Sequence, residues 1–209
     1  MKKTLAFFAC SNGYGHFKRI TEIANRLSDS FLIDIYCEKY QFDKIRPSVH
    51  ANYIFYEKEN VRWDKALADG TTELQNTFDT YKKWIDSNSE VIKSYDYVIS
   101  DNLPGLLYYR DDIILMGSFL WKDVFEEKFG DNKLSDFDNQ LIKKYKPIII
   151  TNKYVETGSL LEYKHKRQFG FGCDRLTKIN YWDHATNIVV VEPSLNYLPE
   201  YSKCINQIK

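Results

Sequence analysis

The 209-residue chain has no excess charge of either sign, since 29 Lys and Arg balance 29 Asp and Glu. That balance excludes a broad positive field for holding phosphates, and no nucleic-acid partner is expected. Cysteine is scarce, and Cys10, Cys37, Cys173 and Cys204 form no C-x-x-C pair. A zinc knuckle or a dithiol redox motif is therefore not expected. His50, His165 and His184 have no carboxylate or Cys at metal-ligand spacing, so no metal is expected either. No apolar run approaches the roughly 20 residues that cross a bilayer, and no transmembrane segment is expected. The run after Met1-Lys2-Lys3 is short and ends in a glycine-rich turn, unlike a signal peptide. These absences imply a cytoplasmic protein. The G-x-S-x-G elbow of serine hydrolases is missing, as is the G-x-x-x-x-G-K-[ST] phosphate loop. No resident cofactor is expected.

Hydrophobic residues make up 44% of the chain, enough for a globular core. Thr4 to Cys10 is continuously apolar, the pattern of a strand buried on both faces. Phe17, Ile20, Ile23, Ala24 and Leu27 follow at helical spacing, and Phe31 to Cys37 reads as a second buried strand. This order predicts a βαβ unit with parallel strands. Further strands are expected at 51–56, 97–100, 113–116, 147–151 and 187–192. Helices are expected near 72–94, 120–129, 133–145 and 197–208. The stretch from 154 to 183 reads as loops, with a short extended piece near 168–172, and Lys164-His165-Lys166-Arg167 reads as a solvated basic loop. The predicted fold class is α/β: an open, mostly parallel, Rossmann-like sheet with helices on both faces. Residues 1–186 are assigned to this domain. Residues 187–209 supply one strand and one helix, read as a remnant or the start of a second domain.

In such sheets ligands bind beyond the carboxyl ends of the strands. There the sequence places Ser11-Asn12-Gly13-Tyr14-Gly15-His16-Phe17-Lys18-Arg19. Two glycines allow a sharp turn and close approach of a ligand. The following helix start favours an anion. His16 and Arg19 share a helix face, and Lys18 points elsewhere. Gly13-x-Gly15 begins like a dinucleotide fingerprint and Glu38 closes the second strand, but Lys18 occupies the third glycine position and argues against it. A capped strand-to-helix turn with Ser11 or Asn12 as cap is the simpler alternative. Asp101-Asn102 ends another strand. Asp101 there either orients His16 or binds a substrate hydroxyl, or the pair forms an Asx-turn into Leu103-Pro104-Gly105. Ser118, Phe119 and Trp121 could form a wall against a sugar ring, but core packing of the two aromatics is the favoured reading, because they precede a helical run containing Val124 and Phe125.

The loop Ser11 to Arg19 resembles the glycine-rich loop of GT-B glycosyltransferases, in particular the group containing the peptidoglycan N-acetylglucosaminyl transferase. It also resembles the G-x-G-H-x-x-R loop of related nucleotide-sugar hydrolases. Val98 to Asn102, followed by Ile114 to Phe125, is similar to a second segment of such proteins, with Ser118 where that segment has Asn. The resemblance covers roughly residues 1–185. It implies the acceptor-side half of a two-domain enzyme that uses a nucleotide sugar and a glycan or lipid-linked acceptor. His16 would be the general base or a transition-state contact, and the strand-end Asp101 is the second candidate catalytic residue. Ser11, Asn12, Gly13, Tyr14, Gly15, Arg19, Asn102, Ser118, Phe119 and Trp121 would line the substrate. A His base near its ordinary pKa of about 6.5 suits neutral pH. The family's donor-binding half has no counterpart in this sequence. Three possibilities follow: a fragment, a split enzyme with a donor-half partner chain, or a binding or assembly subunit without catalysis.

Overall fold

Strand β1, Lys3–Phe8, is an interior strand of the sheet, buried on both faces over Leu5–Phe8 because both are apolar there. Leu5, Phe7 and Ala9 point to one side with Ile33, Ile35 and Cys37, where helix α1, Gly15–Leu27, covers them with Phe17, Ile20 and Ala24. Each such side chain, fully buried, contributes roughly 1.5–3 kcal/mol if it is Ile- or Phe-sized. Phe8 points the other way. It stacks on Tyr36 with ring centroids 4.5 Å apart and meets Trp84 edge-on at 6.3 Å. Helices thus lie on both faces of one sheet.

The computed structural model describes residues 2–57, 71–152 and 155–169. The described residues all belong to one compact unit of the chain. After β2, Phe31–Cys37, come α2, Lys39–Ile45, and β3, Asn52–Phe55. Next are α3, Thr71–Ser87, α4, Ser89–Lys93, and β4, Tyr97–Asp101. A 3₁₀ turn, Pro104–Tyr108, leads to β5, Ile114–Met116, then α5, Trp121–Phe129, and α6, Lys133–Tyr145. Strands β6, Ile149–Asn152, and β7, Lys166–Phe169, complete the sheet. Among the described residues all six strand pairings are parallel, in the order β3-β2-β1-β4-β5-β6-β7.

The expected α/β sheet is observed, with local corrections. The helix anticipated over 72–94 breaks at Asn88. There the side chains of Ser87 and Asn88 both donate to the Trp84 carbonyl, at 2.9 and 2.8 Å, and compete with the helical ladder. Helix α2 was not anticipated. Its seven residues span two turns, too few for a periodic pattern to emerge. The basic stretch read as a loop partly forms β7. Lys166 donates to Glu156 at 2.6 Å and to the Leu160 carbonyl at 2.8 Å, so it is tied into the fold. The strand expected at 187–192 and the helix at 197–208 lie outside the described residues.

Candidate active site

Strand order locates the site. The chain leaves β1 toward β2 on one side, while β4 pairs with β1 on the other. In α/β sheets such a reversal, here at the carboxyl ends of β1 and β4, marks where ligands bind. The loop after β1 carries His16 to this point, and β4 ends on Asp101.

The two side chains meet. His16 Nδ1 lies 2.9 Å from Asp101 Oδ1. Arg19, one helical turn beyond His16, donates from Nε to Oδ2 at 3.0 Å. Its terminal nitrogen donates to Oδ1 at 2.6 Å and to Oδ2 at 2.8 Å. The same Arg nitrogen sits 3.3 Å from His16 Nδ1. Nδ1 cannot accept from Arg19 while donating to Asp101. The shorter contact to a carboxylate settles the assignment: Nδ1 carries the proton and Asp101 accepts it. The lone pair is then on Nε2, which has no hydrogen-bond partner among the described residues.

Asp101 has no exposed surface, while the His16 side chain is 12% exposed and that of Arg19 is 34%. Burial pushes the Asp101 carboxyl up, but the charges and hydrogen bonds of Arg19 and His16 outweigh it and hold it below the usual carboxylate range. Asp101 is therefore a carboxylate at neutral pH. It fixes the ring orientation.

The glycine loop divides its work. Gly13 adopts φ +69°, which side chains rarely tolerate, and makes the turn. Gly15 has no such constraint, and a Cβ there would meet nothing within 4 Å. The fold itself does not demand glycine at 15. Helix α1 begins at Gly15, with Tyr14 at the cap position and no cap bond from its side chain. Ser11 is buried, and Asn12 Nδ2 donates to Cys10 Sγ at 3.4 Å. Burial pushes the Cys10 thiol up to about 11. Tyr14 is exposed at the rim, and Lys18 is exposed as expected.

Around the dyad the remaining positions sort themselves. Phe119 is half-buried and faces the His16 ring edge-on at 6.5 Å. Trp121 is buried, 5.0 Å from Phe119 and 6.3 Å from Phe125, so it packs in the core and is no wall of the site. Ser118 uses its carbonyl to accept from Thr157 N–H at 3.0 Å. Asn102 is buried with φ +59°, and its side-chain amide has no hydrogen-bond partner among the described residues. The sequence reading missed α2, whose Tyr40 and Gln41 reach the glycine loop. The available signal was the Glu38-x-x-Gln41 spacing of a reciprocal helix cap.

No protein-family profile matches the chain, and the search of curated proteins found no match. Among solved structures the chain is similar to the calicheamicin glycosyltransferase CalG4, with a TM-score of 0.51 and 13% identity over 81% of this chain and 53% of that one. It is also similar to LpCGTa, solved in complex with UDP, with a TM-score of 0.48 and 13% identity over 91% of this chain and 61% of that one. The chain thus spans 53% and 61% of the length of these two proteins. The likeness to CalG4 establishes the fold class: a GT-B-like α/β fold, consistent with the N-terminal Rossmann-like half of such enzymes. Among the described residues no helix is long and apolar enough to cross a membrane.

Proposed function

We propose that this chain is the acceptor-binding half of a nucleotide-sugar-dependent GT-B glycosyltransferase, with His16 as general base. The supporting observation is the 2.9 Å contact between His16 Nδ1 and a fully buried Asp101 carboxylate. With Nδ1 protonated, Nε2 takes the proton of an acceptor hydroxyl as its oxygen attacks the anomeric carbon of the sugar. The bond from that carbon to the diphosphate breaks, and its electron pair leaves with the nucleoside diphosphate. One displacement of this kind inverts the anomeric centre. Asp101 stabilises the imidazolium that forms, as buried carboxylates do for catalytic histidines. Arg19 keeps Asp101 ionised, so its part is indirect. The reading assigns residues 1–186 to the acceptor side and gives the donor-binding half to a further domain or a partner chain. The setting would be glycan or surface-polysaccharide synthesis.

The test combines the purified chain with a panel of nucleotide sugars, with and without hydroxyl acceptors and a candidate donor-half chain. Free nucleotide and the anomeric configuration of the product are measured. Acceptor-dependent release that falls about 10²–10⁴-fold in His16→Ala supports the reading. Release without acceptor makes the protein a nucleotide-sugar hydrolase, in which His16 activates water. No release, with partner binding unchanged in His16→Ala, makes it an assembly subunit. Gly15→Ala adds a second readout. The protein has room for the methyl group, so folding is retained, and weakened nucleotide-sugar or acceptor binding places the ligand against that backbone.

A further inference from the structure

Helix α2 has seven residues, yet it holds a polar side chain with no exposure, Gln41. A primary amide offers two donor hydrogens and an acceptor oxygen, and all are used. Nε2 donates to the carbonyl of Cys10 at 2.9 Å and to that of Gly13 at 2.8 Å. Oε1 accepts from Glu38 N–H at 3.1 Å, as part of the capping box between these two residues. The contacts also fix which way the amide points: flipped, its oxygen would face two carbonyl oxygens. The adjacent Tyr40 donates its hydroxyl to the Ser11 carbonyl. Three carbonyls of the loop that delivers His16 are thus held by two consecutive α2 side chains.

This grip has a geometric consequence. In a trans peptide the C=O and the following N–H point in opposite directions, and none of these bonds is cis. With the carbonyls of 10, 11 and 13 held by α2, the N–H groups of residues 11, 12 and 14 are turned away from it. Gly13, at φ +69° and with open space around its α-carbon, would by itself permit other peptide orientations. Gln41 removes that freedom by bridging the two ends of the turn, one at the end of β1 and one just before α1.

We propose that Gln41 is a positioning residue for His16. By clamping the carbonyls of Cys10 and Gly13 it sets the turn that brings the imidazole onto Asp101. It touches neither of those side chains, so its action is through the loop. The inference rests on the reading of His16 as the base. A displacement of about 1 Å at a reacting group costs on the order of 10²-fold in rate, so the expected signature is a loss in kcat with little change in KM.

The test compares Gln41→Leu, Gln41→Glu and the control Ile45→Val, which loosens α2 packing and leaves the loop contacts alone. The ¹⁵N shifts of the His16 imidazole, assigned by difference from His16→Gln, report which ring nitrogen carries the proton. Turnover is followed with the nucleotide sugar that the wild type uses. Wild type and Ile45→Val are expected to show the Nδ1–H tautomer. Gln41→Leu is expected to show a tautomer mixture and a kcat lower by roughly 10–100-fold, with KM within about twofold. If Gln41→Leu fails to fold, Gln41→Glu decides. It keeps the acceptor for Glu38 N–H, but its carboxylate has no hydrogen for either carbonyl, and the same losses are expected. A folded Gln41 variant with the wild-type tautomer and kcat overturns the proposal, as does an equal tautomer change in Ile45→Val. If the wild type turns over no nucleotide sugar even with the acceptor and donor-half chain supplied, the reading of His16 as base fails, while the tautomer comparison still decides the role of Gln41.

Discussion

Two buried carboxyl groups in this fold have opposite fates. Asp101, at the end of β4, and Asp138, inside α6, are 0% and 1% exposed. Asp101 receives hydrogen bonds from His16 and Arg19 and is held below the usual carboxylate range despite its burial. Asp138 has no hydrogen-bond partner on either oxygen among the described residues. Burial pushes it up to about 8, and the charge of Lys122 offsets only part of that. Lys122 directs its ammonium at Asp123, 2.6 Å away. At neutral pH one residue is therefore a carboxylate and the other a neutral acid. Burial alone does not decide the charge of a carboxyl group; the donors aimed at it do. The paired group sits at the strand ends, and the lone one sits in the helical layer where α6 meets α5, α3 and the 3₁₀ turn.

The largest expected effect comes from taking the donors away from Asp101. Arg19→Leu leaves a fully buried carboxylate with His16 as its remaining donor. Removing one member of a buried ion pair costs about 3–5 kcal/mol, and the lower end applies because a third of the Arg19 side chain is solvated. The direction with pH follows from linkage. A carboxyl whose folded pKa is lowered adds stability above its unfolded value near 3.9, and that stability is lost as pH falls through the folded value. Without Arg19 the folded value rises, so acid destabilisation sets in at higher pH. Urea unfolding of both proteins from about pH 3 to 7 measures this. An acid limb unmoved in Arg19→Leu would show that Arg19 does not govern Asp101.

Much of this contrast lay beyond the sequence, for a definite reason. The sheet was legible because its central strands are buried on both faces and read as continuous apolar runs, as Thr4 to Cys10 and Phe31 to Cys37 do. His16 and Asp101 were legible as strand-end residues near a glycine turn. Their direct contact, and the Arg19–Asp101 pair, join positions more than 80 residues apart, which no local pattern encodes. Buried polar residues are hidden for a related reason. Gln41 and Asp138 occupy inward positions of helices where a periodicity argument expects apolar side chains. Trp121 was legible, since the helical run it precedes already favoured core packing over a ligand wall, and it is buried.

A smaller effect of opposite sign is expected at Asp138. Its folded pKa, at about 8, lies above the ordinary carboxyl value, so its contribution to stability is full below about pH 4 and is lost as pH rises to about 8. Asp138→Leu removes the acid at similar volume and leaves no polar atom unpaired. At pH 9 it is expected to be more stable than the wild type by about 2 kcal/mol, in line with apolar replacement of poorly compensated buried charge. Between about pH 5 and 8 the wild type is expected to lose stability and the variant to lose much less. Denaturation midpoints at three pH values suffice. Equal slopes in the two proteins would mean that Asp138 finds a donor in solution and that the contrast with Asp101 is false.

The smallest effect belongs to a pair with the same chemistry but full access to water. Lys39 and Asp43 lie one turn apart on the outer face of α2, 3.1 Å from each other, with side chains 70% and 56% exposed. Solvent screens their attraction, and ordering two long side chains offsets most of what remains, so such pairs contribute about 0.3–0.5 kcal/mol. Asp43→Ala is expected to lower stability by no more than about 0.5 kcal/mol, and added salt is expected to shrink the difference further. The measurement bears on α2 as well as on charge. The helix is held to the glycine loop by Gln41 and Tyr40 on its inner side, so weakening its outer face is expected to leave the His16 tautomer untouched. A loss well above 1 kcal/mol, or a tautomer change, would show that the surface pair helps to hold α2 in place, and that exposure is a poor guide to the worth of an ion pair in this protein.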